Sequence, residues 1–291
     1  MGIGPVDRDM GRLGFGVSVE GGPLASDQLR AVTDAVGERP GTVLWFEDFH
    51  APPPTAGIGA VAGMAAFPII TWEPWHATLE SITRGEQDDH LISWAEALAA
   101  CDSEVGLRLA HEFNGDWYPW TPARGGTHDE YVSAWRHAHD LFREHGATNV
   151  VWIWSPNAVS LDPAPLDAWY PGNAYVNVLA VDGYNWGNAK RPGEWIEPDR
   201  LFSQAVAELR TLDDDKPILI AEVACAENGG SKAEWIADFV AYVDTESVID
   251  GFVWFEHDKE TDWRMVSSRA STEAMVLALE KRAAVVCEVA L

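Results

Sequence analysis

The sequence has few cysteines and no long apolar run. Its three cysteines, Cys101, Cys225 and Cys287, lie far apart without a C-x-x-C pair, so they cannot all pair internally and buried free thiols are expected. No apolar run approaches the roughly 18 residues that a transmembrane helix needs. The N-terminal stretch lacks a basic segment followed by an apolar one. No secretory signal is therefore visible, and the protein is expected to be cytoplasmic or secreted with its leader removed.

Basic residues are also scarce, since 20 Lys and Arg stand against 46 Asp and Glu and give a formal net charge of −26. Such a charge repels phosphate groups, which argues against nucleic acid and anionic membranes as partners. It favours a neutral or a cationic ligand. The chain holds 15 tryptophans in 291 residues, which suit either core packing or flat platforms for sugar rings.

Eight short apolar runs alternate with amphipathic stretches along the whole chain, without a repeat or a low-complexity linker. Continuous apolar runs are typical of parallel strands that are buried on both faces. Alternating strands and helices of this number predict a (β/α)8 TIM barrel that forms one domain over residues 1–291. The strands are predicted near 12–18, 42–47, 67–72, 106–112, 149–154, 177–182, 217–222 and 251–256. The clearest helices are predicted at 27–37, 89–101, 129–145, 199–211, 232–243 and 271–283.

The predicted strands end in carboxylates and aromatic residues, and the C-terminal ends of barrel strands form the active-site face in this fold. Glu112 ends the fourth run and Glu222 the seventh, so both point into the same mouth. Glycoside hydrolysis requires two carboxyl groups that flank the bond to be cleaved. A single glutamate at a strand end could instead pair with an arginine or cap a helix. Arg108 is predicted to face the barrel interior, where it needs a carboxylate partner such as Glu222 or another strand-end acid.

Other chemistries lack their motifs. The segment HEFNG at 111–115 has Gly115 where a zinc-protease helix needs its second histidine. The glycines of GIGAVAG at 57–63 miss the dinucleotide-binding spacing and do not directly follow a strand. The chain has neither a G-x-S-x-G elbow nor a P-loop. Neither a metal nor a cofactor is therefore expected.

The stretch RLAHEFNGDWYPW at residues 108–120 resembles the signature of glycoside hydrolase family 26, to which many β-mannanases belong. Shorter matches follow in the order of the family, and together they cover the predicted fourth to eighth strands. They are WIWSPN at 152–157, DGYNW at 182–186, LIAEV at 219–223 and Trp254.

The resemblance implies a role for each matching residue. Glu112 protonates the departing oxygen and later activates water, and Glu222 attacks the anomeric carbon. Glu112 is then expected to be kept protonated near neutral pH and Glu222 ionised. His111 contributes to the subsite of the reacting sugar, Tyr184 donates a hydrogen bond to the nucleophile, and Trp117 and Trp254 are stacking platforms. The full set of predicted substrate-binding residues is His111, Trp117, Tyr184, Asp182, Trp254, Trp72, Glu73 and Trp186.

Two positions depart from the pattern of the mannan-cleaving members. Many of these carry a histidine after the third-strand tryptophan, where this chain has Glu73. Some carry an arginine after the tryptophan of the eighth strand, where this chain has Phe255. The primary hypothesis is a monomeric, retaining endo-β-1,4-mannanase that acts on a neutral polysaccharide or oligosaccharide. The alternatives are a β-1,3-1,4-glucanase or β-1,3-xylanase of the same family, a carbohydrate-binding protein, and a cytosolic hydrolase of a small glycoside.

Overall fold

The computed structural model describes residues 14–190 and 193–289, and of residues 283–289 only the backbone. Eight parallel strands close into a barrel in sequence order, with β8 hydrogen-bonded to β1. The predicted (β/α)8 barrel is confirmed. The strands are β1 (Gly14–Val19), β2 (Thr42–Asp48), β3 (Phe67–Glu73), β4 (Val105–Leu109), β5 (Val150–Trp154), β6 (Val178–Asn185), β7 (Ile218–Cys225) and β8 (Ile249–Glu256). Residues 12 and 13 of the first predicted strand lie outside the described residues.

Helices cover the outside of the barrel, and each of the six predicted helices is present. They are α1 (Ser26–Val36), α2 (Thr55–Gly63), α3 (Leu79–Thr83), α4 (Asp88–Ala99), α5 (His128–Glu144), α6 (Pro198–Leu212), α7 (Lys232–Thr245) and α8 (Arg269–Val289). The segment between β2 and β3 forms the helix α2, which is not among the six predicted helices. After β5, by contrast, the described chain has only the 3-10 turns Leu166–Trp169 and Asn173–Tyr175.

The helices begin where their sequences allow it. In α5, the side chain of Thr127 accepts from the backbone N–H of Glu130, and the Glu130 side chain accepts from the N–H of Thr127. This reciprocal capping satisfies two of the four unpaired N–H groups at the helix start. No described helix is both long enough and apolar enough to cross a membrane. Of the cysteines, Cys225 is buried and Cys101 half-buried, both as free thiols, and the side chain of Cys287 lies outside the described residues.

Alternating side chains divide the core into two parts. One large cluster fills the space between the strands and the helices. A small cluster fills the barrel interior, with one residue from each of six strands: Leu44, Ile69, Ile153, Ala180, Ala221 and Val253. Gly106 of β4 leaves room for this layer, since a Cβ there would lie 2.9 Å from Ile153 and 3.0 Å from Ile69. The packed interior forms a floor, so a ligand can reach only the barrel mouth.

β4 ends at Leu109, three residues before the predicted end at 112. Ala110 and Glu112 have φ angles of 46° and 50°, a left-handed conformation that non-glycine residues rarely adopt. The N–H of Glu112 donates to the carbonyl of Ser155 at 2.8 Å, which holds the turned chain against the end of β5. Backbone strain of this kind collects at functional sites, and here it sets the direction of the Glu112 side chain.

Candidate active site

A cleft of about 960 Å³ opens at the C-terminal ends of the strands. Acidic side chains on its walls outnumber basic ones: Glu20, Glu73, Glu112, Asp116, Glu194, Glu222, Asp258 and Glu260 against Lys190 and Lys259. Aromatic rings supply much of the remaining wall: Phe46, Trp75, Trp117, Tyr118, Tyr184, Trp186, Phe255 and Trp263. Such a surface suits a ligand with flat apolar faces and many hydroxyl groups.

Glu112 is a buried carboxyl group with two hydrogen-bond donors. The indole N–H of Trp117 donates to its Oε2 at 2.7 Å, and the amide of Asn157 donates to its Oε1 at 2.7 Å. Burial and then the negative charge of Glu222 outweigh these hydrogen bonds, so the pKa of Glu112 is raised to about 7. The group therefore carries its proton up to neutral pH, as a general acid must.

Glu222 lies in a different setting, where both of its oxygens accept from buried donors. Nη2 of Arg108 donates to Oε1, and the hydroxyl group of Tyr184 donates to Oε2. Nε2 of His111 lies 3.6 Å from Oε1. A guanidinium and a hydroxyl group thus fix the orientation of the Glu222 carboxyl group.

Arg108 joins the floor of the site to Glu222. Its guanidinium is completely buried, and it donates to Asp182 at 2.6 Å and to Thr71 at 2.7 Å as well as to Glu222. Burial acts to lower the pKa of Arg108, but the charges of Asp182 and Glu222 together outweigh this effect. The pKa of Arg108 is therefore raised above its ordinary value. The prediction that a strand-end acid pairs with Arg108 is confirmed, with two acids rather than one.

Two of the predicted substrate-binding residues do not line the cleft. Trp72 is fully buried and stacks on Phe49 and Trp94, with ring centres 4.6 and 4.3 Å apart. Trp254 is fully buried against Trp235 of α7. The prediction that these two indoles bind sugar is wrong. Side chains alternate along a strand, so the following residues, Glu73 and Phe255, line the cleft instead.

The other predicted residues divide between the wall and the floor. Trp117, Tyr184, Trp186 and Glu73 line the cleft. His111 and Asp182 are buried beneath it, with 1% and 0% of their surface exposed.

His111 lies under the ring of Tyr118, whose hydroxyl is 3.1 Å from its Nε2. Burial and then the charge of Arg108 lower the pKa of His111 well below its ordinary value, so its imidazole is neutral. His111 and Asp182 therefore support the residues above them rather than form the exposed wall.

Several residues that line the cleft were not predicted from the sequence. Asn157, which holds Glu112, follows β5 within the SPN sequence, and the position after a strand end was the available signal. Asn157 is itself held by Asn114, whose side chain accepts from its N–H at 2.8 Å and donates to its carbonyl at 2.9 Å. Trp263 comes from the segment between β8 and α8, where no strand or helix pattern marks a site residue.

Glu73 is a further carboxyl group in the cleft whose pKa is raised. Its Oε2 accepts from the indole N–H of Trp75 at 3.0 Å. Burial raises the pKa of Glu73, and the nearby charge of Glu222 adds to this effect. Trp75 is 42% exposed, so the pair forms an accessible patch with an acceptor beside a flat ring.

One group of possible metal ligands lies in the site: side-chain atoms of His111, Asp182 and Glu222 fall within 4.8 Å of one another. The guanidinium of Arg108 already contacts both carboxylates of this group. A metal ion would therefore meet a buried positive charge, and this donor set fits the arginine better than an added cation.

Comparisons with known proteins identify the family of this chain. The model of Glycosyl hydrolase family 26 matches residues 74–222, about half of the chain. Endoglucanase H of Acetivibrio thermocellus is 40% identical over 230 residues, which are 77% of this chain and 25% of that protein. Mannan endo-1,4-beta-mannosidase A and B of Caldalkalibacillus mannanilyticus is 27% identical over 159 residues, which are 53% of this chain and 28% of that protein. The chain thus spans about a quarter of the length of these relatives.

Solved structures share the fold. The catalytic domain of a Bacillus sp. JAMB-750 GH26 endo-beta-1,4-mannanase has a TM-score of 0.70 at 18% identity, covering 93% of this chain and 86% of that one. A Cellulomonas fimi endo-beta-1,4-mannanase double mutant has a TM-score of 0.71 at 18% identity, covering 92% and 70%. At such identities the likeness concerns the barrel alone.

Proposed function

This chain belongs to glycoside hydrolase family 26, and from that premise we propose that it is a retaining endo-β-glycanase acting on a neutral β-glucan. The observation that carries the proposal is the pair of carboxyl groups in one cleft with opposite surroundings. Glu112 is buried with a raised pKa, and Glu222 is held by a buried cation. Surroundings that differ in this way support Glu112 as the general acid and Glu222 as the nucleophile.

In the first step, Glu222 attacks the anomeric carbon as the bond to the leaving sugar breaks. Glu112 gives its proton to the departing oxygen, and a glycosyl ester forms on Glu222. Arg108 and Tyr184 keep the attacking carboxylate in place. Both groups hold Glu222 in its orientation before the substrate binds, so the nucleophile is already positioned for attack.

In the second step, water attacks the anomeric carbon and Glu112 accepts its proton, which frees Glu222 and retains the configuration. The electrostatics of the site favour this reversal. The charge of Glu222 is one cause of the raised pKa of Glu112, and that charge disappears while Glu222 is esterified. The pKa of Glu112 therefore falls when the group must act as a base.

A neutral polymer fits the walls of the cleft. The carboxylates that line it repel uronic acid or sulfate groups. The indoles of Trp117 and Trp186 offer flat faces to sugar rings.

A β-glucan is favoured over mannan by two observations. The chain is 40% identical to a protein named Endoglucanase H and 27% identical to one named a mannan endo-1,4-beta-mannosidase. It also has Glu73 where many mannan-cleaving members carry histidine. Mannan, the substrate expected from the resemblance, becomes the second candidate, supported by the mannosidase relatives.

The test is hydrolysis of a panel that comprises mixed-linkage β-glucan, cellulose, mannan, glucomannan and β-1,3-xylan. We expect the fastest cleavage on mixed-linkage β-glucan, with new reducing ends appearing faster than monosaccharide. The first products should have the β-configuration when followed by proton NMR. Faster cleavage of mannan would replace the first candidate by the second. If no polymer is cleaved, the proposal fails, and binding measurements and aryl glycosides then test a binding protein or a small-glycoside hydrolase.

A pH dependence follows from Glu112. Its proton is required for bond cleavage, so kcat/KM on mixed-linkage glucan is expected to fall as the pH rises through about 7. Because this pKa lies above the ordinary value of 4.5, the folded protein binds more protons than the unfolded chain between about pH 4.5 and pH 7. The contribution of Glu112 to the free energy of unfolding is therefore fully present below about pH 4.5 and is lost as the pH rises through 7.

Trp117→Phe sharpens this test, because it removes an N–H that stabilises the carboxylate of Glu112. The basic limb of the kcat/KM profile should then move upward by up to about one pH unit. Trp75→Phe is the matched control, since that indole donates to Glu73 instead. If the basic limb stays in place in Trp117→Phe, or moves equally in both variants, it reports the titration of a group other than Glu112.

A further inference from the structure

Lys232, the first residue of α7, is a lysine with only 1% of its surface exposed. Its Nζ donates to the carbonyls of Asp262 and Arg264 at 3.1 and 2.7 Å, and to the hydroxyl of Ser267 at 2.9 Å. The three N–H groups of the ammonium thus have three oxygen partners. All three partners belong to the segment 257–268 between β8 and α8, called the platform loop below.

This placement of a lysine carries two costs. Burial lowers the pKa of Lys232, and the charge of Glu227 offsets this only in part. A positive charge at the first residue of a helix also opposes the helix dipole. An apolar side chain of similar length would avoid both costs, so the hydrogen bonds to the platform loop are what the charged lysine adds.

Two carboxylates hold the same loop from below. Oε2 of Glu256 accepts from the N–H of Met265 at 2.7 Å. Oε1 of Glu227 accepts from the hydroxyl groups of Ser267 and Ser271 at 2.5 and 3.1 Å. The loop is therefore held by buried and half-buried charged side chains that do not line the cleft.

Trp263 of the platform loop borders the cleft but is only 1% exposed, so it supports the wall rather than offering a face to a sugar. The ring of Trp263 meets those of Tyr184 and Trp186 with centres 5.2 and 4.7 Å apart. The two carbonyls bound by Lys232 belong to the residues directly before and after Trp263. The buried ammonium therefore fixes the backbone on both sides of this indole.

We propose that Lys232 is a positioning residue: it holds the buried ring of Trp263, which in turn supports the rings of Tyr184 and Trp186 in the wall of the cleft. The inference rests on the proposed function for the identity of the ligand. Lys232 itself does not touch the substrate. Its effect is transmitted through the backbone of residues 262–264.

The first arm of the test needs no substrate. In 15N-labelled protein, the indole N–H signal of Trp263 is assigned by its loss in Trp263→Phe. We expect Lys232→Met to shift or broaden this signal, because the backbone on both sides of Trp263 loses its donor. Lys281→Met, at an exposed lysine of α8, is the control and should leave the signal unchanged. An unchanged signal in folded Lys232→Met would overturn the proposal.

The second arm measures kinetics on mixed-linkage β-glucan. Lys232→Met is expected to raise KM roughly tenfold and to change kcat much less, as the loss of a positioned binding surface predicts. In a Trp263→Ala background the same substitution should add little, because the indole that Lys232 positions is already absent. Independent, additive losses in this cycle, or a normal KM, would refute the positioning role.

The two arms separate this inference from the proposed function. If the wild type cleaves no polymer, the proposed function fails and the NMR arm still decides whether Lys232 positions Trp263. If Lys232→Met does not fold, Ser267→Ala removes one oxygen partner while the buried charge keeps two. The same signal and the same cycle are then measured, with a smaller shift expected.

Discussion

Glu222→Ala is expected to lower turnover of β-glucan by at least about 10⁴-fold, because the covalent step loses its nucleophile. The fold should survive, since Arg108 keeps its contact with Asp182 at 2.6 Å. Sodium azide can enter the space left by the carboxylate and attack from the same face. With an activated β-aryl glycoside, it should restore turnover and give the α-glycosyl azide. Product configuration by proton NMR is the measurement.

Glu112→Ala is the matched variant on the other side of the bond. Without its acid, glycans with poor leaving groups should react slowly, and dinitrophenyl glycosides should still form the glycosyl ester. Azide then attacks that ester and gives the β-glycosyl azide. Glu73→Ala, which removes another carboxyl group of the cleft, should keep turnover without azide. The same azide anomer from both Glu112→Ala and Glu222→Ala would contradict the assignment of their roles.

The barrel was predictable because parallel strands are buried on both faces. Such strands appear as continuous apolar runs, and the spacing of these runs placed every strand within a few residues. The positions of Glu112 and Glu222 followed from the rule that the site lies at the C-terminal strand ends. The boundary of β4 did not follow, because the left-handed residues Ala110 and Glu112 carry no glycine signal.

The direction of neighbouring side chains was harder to predict. At Trp72-Glu73 and Trp254-Phe255, two plausible binding residues are adjacent, and only one of each pair can face the cleft. The prediction named both Trp72 and Glu73 in the first pair and only Trp254 in the second, because an indole suits a sugar site and a helix-packed core equally well. The structure shows which residue of each pair faces away from the cleft, since Trp72 packs on Trp94 and Trp254 on Trp235.

Loop residues were the least predictable part of the site. Trp263 reaches the cleft through the platform loop, which is held by Lys232 from a different connection of the barrel. Asn157 reaches Glu112 through its pairing with Asn114. Both placements depend on contacts between segments distant in sequence, and no periodic pattern reports these. By contrast, the partner of Arg108 was predictable, because a buried guanidinium needs a carboxylate.

Arg108→Met is expected to have the largest effect on stability. The substitution leaves the carboxylates of Asp182 and Glu222 buried without their shared cation, and breaking a buried pair in this way costs about 3–5 kcal/mol. Tm should fall by roughly 10 °C. Turnover should fall too, because Glu222 loses the donor that orients it. Thermal unfolding and kinetics on the same preparation measure both effects. Arg84→Met, at an exposed pair with Glu80, should change neither measurably.

The double variant Arg108→Met/Asp182→Asn separates the two effects. It removes one positive and one negative charge, so only Glu222 remains as an unpaired acid on the floor of the site. We expect part of the lost stability to return, because one uncompensated buried charge is gone. Activity should stay low, since Glu222 still lacks its guanidinium donor. If activity returned together with stability, Arg108 would be serving the fold alone and Tyr184 would suffice to hold the nucleophile.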